Sequence, residues 1–462
     1  MQVIRREMLA PFKLNQLPRR ADILVRPKPV KRRQHRASKA PLLFTAFFLS
    51  VSALSSASEK NLRDPQSDLL TTLQHRGFDF FWFEADPKTG LVKDRAGNRA
   101  GDNYTEASIA STGFALASLP VAVKHGWVTR ERAQERALTT LKFARDNTAQ
   151  TNGWFYHFID RTTGERAWKC ELSSIDSALF LGGVLLAGEC FGGEVGEVAN
   201  AIYRRVDFQW MLTDGGTKPN EKFLSHGWTP EGGFIKSRWL NYSEHLMLNL
   251  LAIGSPTHPI PAGCWEAWQR NVGEYKGFKT FACGPLFTYQ YSQAFIDFRG
   301  KHDRQGFNYF DASIQATKAN RQFCIDQSAK YKTYGSNVWG LSACDKPISG
   351  YEAYAAPPGK PIHDGTIAPW ATVASLPFAP EETLAAVTHI YERFGDKLWG
   401  RYGFGNSFNL DRNWFAPDVI GIDLGAAILL IENARTGFVW EHFMRTQPIK
   451  EAMKKAGFSE RN

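Results

Sequence analysis

Apolar residues recur at helical spacing in one segment after another of this chain from about residue 66 onward. A spacing of three to four residues gives an α-helix one apolar face, whereas the strict alternation of a half-buried strand is rare here. Start signals support the helices, since Thr129 precedes a charged helical segment and Pro380 is followed by two glutamates. The predicted helices cover 67–84, 105–124, 129–148, 173–190, 194–213, 242–253, 261–273, 286–294, 310–329, 367–376, 380–394, 422–434 and 438–455.

Long connections rich in glycine, tryptophan and tyrosine separate several pairs of helices. Connections of this length inside a compact domain usually carry function. They cover 149–172, 214–241, 330–366 and 395–421. Sequential helix hairpins with elaborate loops on alternate connections predict an all-α fold, an (α/α)6 toroid whose long loops gather over one end. No short repeat of fixed period is visible, which disfavours a solenoid.

The positive charge of the chain is concentrated at its start. The formal net charge is +10, but residues 1–40 hold twelve lysines and arginines against Glu7 and Asp22. Without this segment, basic and acidic residues are equal in number. A neutral body lacks the clustered positive charge that nucleic-acid binding needs, so no nucleic-acid partner is predicted.

An apolar run over 41–54 follows the basic segment and is itself followed by small residues. This order is that of a secretory signal peptide, and it predicts cleavage near Ala57 and a periplasmic or secreted protein. The predicted boundaries are a leader over 1–57 and a single domain over 58–462. The run is shorter than the ~20 apolar residues of a membrane span, so no stable span is expected after processing. An uncleaved anchor and a translation start downstream of Met1 are the alternatives.

The cysteines all follow this leader. None has the spacing of a metal-binding motif, and neither a metal nor a cofactor is predicted. In an oxidising compartment Cys324 and Cys344 are one pair that could form a disulfide, whereas buried free thiols are the alternative. The six positions are Cys170, Cys190, Cys264, Cys283, Cys324 and Cys344.

Several segments mix carboxylates, aromatic residues and glycines in a way that a packed core does not require. The most informative are ELSSID (171–176), WLNYSEHL (239–246), GPLFTYQYSQAFIDFRG (284–300), DGTIAPW (364–370) and WFAPDVIGIDLG (414–425). With these segments the chain resembles the glucoamylase-like family of bacterial proteins over about residues 66 to 450. That family includes the endo-β-1,2-glucanases of glycoside hydrolase family 144. The resemblance implies an (α/α)6 catalytic domain, hydrolysis of β-1,2-glucan and inversion at the anomeric carbon.

Hydrolysis of a glycosidic bond needs one carboxylic acid to protonate the leaving oxygen and one carboxylate to activate water or to attack. Glu244, carried over by its NYSEH motif, is predicted to be the acid, with a first-turn helix role as the alternative. Asp423 is predicted to act as the base and Asp418 as its structural partner, an order that could be reversed. Glu171 and Asp176 are predicted to line the floor of the cleft or, alternatively, to favour a helix dipole.

Further residues are predicted to contact an oligosaccharide or polysaccharide substrate. Tryptophan and tyrosine rings suit stacking on sugars as well as core packing. Asp297 either pairs with Arg299 or contacts substrate, and Asp364 either caps the helix after Pro369 or contacts substrate. His258 is read as a loop hydrogen-bonding residue. The predicted aromatic contacts are Trp228, Trp239, Tyr242, Trp339, Trp370 and Trp414.

Other functions of the same chain remain open at this point. An exo-acting or transglycosylating enzyme on the same fold would use the same acids. A noncatalytic glucan-binding protein would keep the aromatic residues without the chemistry. A polysaccharide lyase would need basic and tyrosine residues around an acidic sugar, which the neutral body and its acidic loops disfavour.

Overall fold

The computed structural model describes residues 65–460, which belong to one compact unit. The predicted leader, its cleavage point near Ala57 and the apolar run over 41–54 lie outside the described residues. Among the described residues, fifteen α-helices form most of the framework. They are α1 (Pro65–Phe83), α2 (Ile109–Lys124), α3 (Arg130–Asp146), α4 (Ser174–Phe191), α5 (Gly193–Arg205), α6 (Phe208–Thr213), α7 (Leu246–Ile253), α8 (Cys264–Ala267), α9 (Phe287–Phe295), α10 (Tyr309–Asp326), α11 (Pro369–Val373), α12 (Pro380–Leu398), α13 (Gly421–Thr436), α14 (Phe438–Phe443) and α15 (Gln447–Lys455).

Six of these helices contact one another in a closed order. Helix α2 packs on α4, α4 on α7, α7 on α9, α11 on α13, and α13 returns to α2. Between α9 and α11 the side chain of Gln290 donates a hydrogen bond of 2.8 Å to the carbonyl oxygen of Ala371. These inner helices are buried on nearly every side, which explains why α2, α4 and α13 are apolar all round.

Helix α4 is the one described helix with the length and composition of a membrane span, but 83% of it is buried inside the protein. It crosses α2 at very short range. A Cβ atom built on Gly183 would lie 1.8 Å from the carbonyl oxygen of Gly113, so only glycine permits this approach. The helix is therefore the core of the fold.

The remaining helices cover the inner ones from outside. Helix α1 packs on α2 and α13, α5 on α4, α10 on α9, α12 on α11, and α15 on α7. Helix α12 shows why: Thr383, Ala386, Val387 and Ile390 are buried at spacings of three, one and three residues, while its other face is polar. Its first turn begins at Pro380, as predicted, and the Thr129 side chain caps α3 by accepting from the amide of Arg132.

Short antiparallel strands occupy the connections, so the fold is mostly helical rather than strictly all-α. Several precede an inner helix: β2 precedes α2, β6 precedes α4 and β18 precedes α13. The strands are β1 (Arg95–Gly97), β2 (Glu106–Ser108), β3 (Gln150–Thr151), β4 (Trp154–Phe155), β5 (Phe158–Asp160), β6 (Leu172–Ser173), β7 (Gly227–Thr229), β8 (Gly233–Phe234), β9 (Val272–Tyr275), β10 (Phe278–Phe281), β11 (Lys301–His302), β12 (Ala343–Asp345), β13 (Tyr351–Ala353), β14 (Trp399–Gly400), β15 (Gly403–Phe404), β16 (Phe408–Asn409), β17 (Trp414–Phe415), β18 (Asp418–Ile420) and β19 (Ser459–Glu460). Pairing also joins non-neighbouring parts of the chain, since β1 pairs with β18, β2 with β5 and β11 with β19.

Three predicted helices differ from the observed ones. The segment 194–213 divides into α5 and α6 because the Asp207 side chain caps a new helix by accepting from the amide of Trp210. The segment 438–455 divides into α14 and α15. The segment 261–273 contains only the single turn α8 before Trp268 becomes extended. All six cysteines are free thiols in the structure, Cys324 and Cys344 included.

Candidate active site

Three carboxylates lie at the starts of three inner helices. Asp176 is in the first turn of α4, Glu244 stands two residues before α7, and Asp423 is in the first turn of α13. Tyr291 on α9 is close enough to all three acids to respond to their charges. Burial and the charges of Asp423, Glu244 and Asp176 all raise the pKa of its phenol. The helix starts thus bring together acids that are far apart in the sequence.

Two serines hold Glu244, one through its carboxylate and one through its backbone carbonyl oxygen. The hydroxyl of Ser243 donates to the carboxylate, and Ser292 on α9 donates to the carbonyl oxygen of Glu244 at 2.7 Å. Burial raises the pKa of Glu244, and the charge of Asp176 acts in the same direction, although the Ser243 hydrogen bond opposes them. A carboxyl group that keeps its proton to a higher pH is suited to donating it.

Asp423 accepts two hydrogen bonds. The amide nitrogen of Asn406 donates to Oδ2 at 2.6 Å and the phenol of Tyr291 to Oδ1 at 3.5 Å. Burial and the neighbouring charges of Asp345 and Asp94 raise the pKa of Asp423 to about 8, against the effect of these hydrogen bonds. Asp423 therefore exchanges a proton close to neutral pH, which is the range in which acid and base catalysts work best.

An arginine lies beside the acids next to Asp423. Nη1 of Arg95 is 3.2 Å from Oδ2 of Asp345 and 3.7 Å from Oδ2 of Asp418. The phenol of Tyr104 donates to the same Asp418 oxygen at 2.6 Å. Burial opposes the charge of Arg95, but Asp345, Asp94 and Asp418 outweigh it and raise its pKa. The arginine neutralises part of the negative charge that surrounds Asp423.

A histidine bridges the two acids of the ELSSID segment. Nδ1 of His157 is 3.0 Å from Oε1 of Glu171, and Nε2 is 3.5 Å from Oδ1 of Asp176. Burial lowers the pKa of His157, but the two carboxylates outweigh it and raise the pKa to about 9. Burial likewise opposes ionisation of Glu171, yet the His157 hydrogen bond holds its pKa below the ordinary value. At neutral pH the bridge is thus an imidazolium beside an ionised Glu171, which can accept hydrogen bonds from sugar hydroxyls but not donate a proton.

Comparisons with known proteins identify the family of the chain. The family described as "Putative glucoamylase" matches residues 236–447. A crystal structure of a "putative glucoamylase" from Bacteroides uniformis is 31% identical and has a TM-score of 0.76, covering 87% of this chain and 99% of that one. The chain belongs to the glucoamylase-like family.

Two proteins that are similar to this glucoamylase-like chain carry more specific names. The endo-β-1,2-glucanase from Chitinophaga pinensis, solved with sophorotriose and glucose, is 25% identical with a TM-score of 0.77, covering 85% of this chain and 98% of that one. An exo β-1,2-glucooligosaccharide sophorohydrolase (non-reducing end) from Parabacteroides distasonis is 27% identical over 436 residues, or 87% of this chain. The chain spans 59% of the length of that relative.

The predicted aromatic contacts of the glucoamylase-like chain divide by burial. Trp339 and Trp370 are 0% and 1% exposed, so neither can present a ring face to a sugar and both take the alternative of core packing. Trp239 and Tyr242 are also buried: Trp239 donates to Ser174 Oγ at 3.0 Å, and the Tyr242 ring stacks on Phe281. Both support the segment around Glu244 from the core side. Partly exposed rings, which remain predicted contacts, are Trp228 in β7 and Trp414 in β17.

The remaining predicted residues have clear partners. Asp297 follows the end of α9 and forms a two-point ion pair with Arg299 at 2.9 Å, the structural alternative of the prediction. Asp364 accepts from the Tyr354 phenol at 2.8 Å and from the Thr366 amide at 3.0 Å. The predicted cap of α11 by Asp364 is wrong, because Ala368 holds that position and makes no side-chain bond.

His258 lies in its predicted loop, where its backbone amide donates to Ser255 Oγ at 3.2 Å. Its Nδ1 atom has no hydrogen-bond partner within the described part of the chain, so the side chain does not fill the predicted hydrogen-bonding role through that atom. Within residues 65–460, no three histidine, cysteine or acidic side chains group as metal ligands would.

Sequence analysis missed five residues of the site. His157 lies in the long connection 149–172 and Tyr291 in the segment 284–300, but neither residue was given a role. Arg95 lies outside the segments that were singled out, and only the fold brings these three residues to the acids. Asp345 and Asn406 occur in glycine-rich and aromatic loops of the type that was singled out, but without a recognisable spacing. The signal that could have found them is a polar residue inside such a loop.

Proposed function

We propose that this protein is a glycoside hydrolase that cleaves β-1,2-glucan. The observation that carries the proposal is a pair of partly exposed carboxyl groups, Glu244 and Asp423, which stand at the starts of two inner helices and whose pKa values are both raised. The phenol of Tyr291 donates to Asp423, and the charges of both acids raise its pKa. The names of the relatives from Chitinophaga pinensis and Parabacteroides distasonis supply the linkage. A neutral sugar fits a site in which carboxylates can accept hydrogen bonds from its hydroxyl groups.

The closed order of the inner helices supports an (α/α)6 toroid as the scaffold. In such a scaffold each inner helix starts from a loop, and the loops can collect substrate contacts over one end of the toroid. The positions of Asp176, Glu244 and Asp423 at three helix starts are consistent with this arrangement.

For the chemical step we propose that the Glu244 carboxyl donates its proton to the leaving glycosidic oxygen as the C–O bond breaks. Asp423 accepts a proton from a water molecule, which attacks the anomeric carbon from the opposite face. The product would then have the inverted anomeric configuration, as the family resemblance implies. Glu171 and Asp176, oriented by His157, would bind sugar hydroxyls.

An exo-acting enzyme that releases a disaccharide is the second candidate, because the Parabacteroides distasonis relative carries that name. Endo cleavage of long β-1,2-glucan gives products of mixed length from the start. Exo cleavage gives one short product throughout the reaction, and a transglycosylase gives products longer than the starting chain.

Incubation of the protein with β-1,2-, β-1,3-, β-1,4- and β-1,6-glucans, followed by product sizing, tests the proposal. We expect products from the β-1,2-glucan alone, and the first-formed anomer by NMR should be the inverted one. The Glu244→Gln variant is the matched control. Cleavage of another linkage instead, or binding of β-1,2-glucan without any product, would refute the proposed reaction.

We also propose that the protein is exported, from the basic, apolar and small-residue order of its leader. N-terminal sequencing of the protein from its native source should find a start near residue 58. Recovery of intact Met1 from the cytosol would contradict export.

A further inference from the structure

An exposed tryptophan lies close to the acids of the ELSSID segment. Trp168 lies between β5 and β6, three residues before Glu171, and is 51% exposed. A large apolar ring in water has no role in the core, because it leaves much of its apolar area unburied. A single exposed ring is ordinary on a protein surface, so the backbone and the neighbours of Trp168 carry the inference.

The backbone holds this ring in a costly conformation. Trp168 and Lys169 have φ angles of 50° and 53°, in the left-handed region that disfavours residues with a Cβ atom. Arg166 fixes the turn, because its guanidinium donates to the carbonyl oxygens of Lys169 and Cys170. Glu231 fixes Arg166 in turn, with two carboxylate contacts of 2.7 and 3.0 Å. These bonds fix the backbone from which the half-exposed Trp168 side chain projects.

Two ring contacts connect Trp168 to the acids. The Trp168 and Phe158 rings are tilted by 54° with centroids 5.0 Å apart, and the Phe158 and His157 rings are stacked with centroids 3.9 Å apart. His157 is the residue that contacts Glu171 and Asp176. Trp168 is therefore two ring contacts away from the histidine between the carboxylates.

We propose that Trp168 forms an outer subsite that stacks on one glucosyl unit of a substrate chain whose inner units lie at the carboxylates. The inference rests on the proposed function and adds a contact that controls which chain lengths are used. The occupant is a neutral sugar because the nearby carboxylates accept hydrogen bonds from hydroxyl groups. One tryptophan ring also matches the size of one pyranose face. A protein partner would instead require a larger apolar patch.

The test compares kcat/KM over a graded series of β-1,2-glucooligosaccharides for wild type, Trp168→Ala and Trp168→Phe. We expect Trp168→Ala to lose roughly tenfold on chains long enough to reach the ring, through KM, and to stay near wild type on the shortest chain that is cleaved. Trp168→Phe should keep most of the long-chain activity. Tyr391→Ala, which removes another exposed ring on α12, is the control. It should change kcat/KM neither on long chains nor on short ones.

Two further variants separate binding from a structural role. Trp168→Gly relieves the left-handed strain, so its Tm should not fall although it loses the long-chain preference. Arg166→Met loosens the turn and should weaken long-chain binding in the same direction. Equal loss on all chain lengths, or no loss on any, would overturn the proposal.

A wild type that cleaves no β-1,2-glucan would refute the proposed function separately. In that case calorimetric titration with the four glucan linkages decides the subsite. Trp168→Ala must then weaken binding of the longer chains of whichever glucan binds, and unchanged binding would overturn the inference.

Discussion

Two glutamates in this site show how surroundings decide the chemistry of one residue type. Both Glu171 and Glu244 are partly buried, and this burial acts to raise the pKa of each. Glu171 faces the imidazolium of His157, which more than compensates, whereas Glu244 has only a serine hydroxyl and the repulsion of Asp176. The histidine thus keeps Glu171 ionised, whereas Glu244 keeps its proton to a higher pH.

The first prediction follows from the donor role of Glu244. Glu244→Gln keeps the size and hydrogen bonding of the side chain but removes its proton, so folding and glucan binding should survive. Turnover of natural glucan should fall by at least ~10²-fold, the lower end of the usual contribution of a general acid. A glucoside with a good leaving group needs less protonation and should lose much less rate, as steady-state kinetics on both substrates would show.

Near-normal turnover of glucan by Glu244→Gln would instead assign the proton to another acid. Asp176 is the next candidate, since burial raises its pKa as well, while the lowered pKa of Glu171 removes it from consideration. Asp297→Asn is the control, because it exchanges a carboxylate for an amide at an acid outside the proposed active site.

The second prediction assigns the base by pH. In Glu244→Gln acting on the activated glucoside, only the base must be in its correct form. Because the pKa of Asp423 is raised to about 8, its ionised form grows as pH rises, and the rate should increase through about pH 8 and then level off. A rate that falls over the same range would mean that Asp423 acts through its protonated form and that the two roles are exchanged.

Asp423→Asn supplies the complement to that profile. It should slow the natural and the activated substrate alike, because water must be activated whichever group leaves. The rate that remains should also lose its dependence on pH near 8. Persistence of that ionisation in the variant would place it on a neighbour such as Asp345, whose pKa burial also raises.

At the scale of elements, a buried glutamate joins three helices away from the acids of the site. Glu432 on α13 is 2.6 Å from Nζ of Lys124 and 2.7 Å from Nε2 of His125, both at the end of α2. The Gln74 side chain on α1 donates to it at 3.1 Å. The positive charge of Lys124 at the end of α2 also suits the negative end of that helix.

The third prediction concerns this junction. Burial opposes ionisation of Glu432, but His125, Lys124 and Thr436 lower its pKa from 4.5 to about 2. The lowered value contributes about 3 kcal/mol of folding stability, present above about pH 4.5 and lost as pH falls towards 2. Glu432→Gln should therefore destabilise the protein at neutral pH, and the deficit should shrink below about pH 4.5.

Urea unfolding of wild type and Glu432→Gln over a range of pH measures this difference. Glu135→Gln, an exposed glutamate on α3, is the control and should unfold like wild type. A deficit that does not change with pH would mean that packing, not ionisation, is what the glutamate supplies.

The elements divide clearly into those that sequence could predict and those that it could not. Apolar spacing and start signals predict α3 and α12, whereas continuous apolar runs predict α4 and α13. The helix predicted over 261–273 was wrong because Trp265 and Trp268 are buried by distant partners such as Tyr309, which no local pattern reports. For the same reason, sequence analysis did not find all residues of the site. Glu244, Asp423, Glu171 and Asp176 stand in recognisable motifs, whereas His157 and Arg95 reach them only through pairing across the fold.

For the whole molecule, the distribution of charge bears on the class of sugar that can bind. Apart from its first 40 residues, the chain has equal numbers of basic and acidic residues, yet acids outnumber cations around Asp423 and Asp176. Within the described site, Arg95 and His157 are the cations that face them. The excess of carboxylates disfavours a sugar that carries a negative charge.

The last prediction follows from this local charge. Binding of a neutral β-1,2-glucan relies on hydroxyl contacts and ring stacking, so its KM should change little between low and high ionic strength. A glucan oxidised to carry uronate groups should bind much more weakly at low salt and partly recover as salt screens the repulsion from the acids. Kinetic measurements on both polymers across a salt series would test this, with Arg95→Gln as a variant that should make the discrimination stronger. If the neutral glucan instead lost affinity steeply with salt, attraction between opposite charges would dominate binding, and the natural substrate would have to be an anionic polymer.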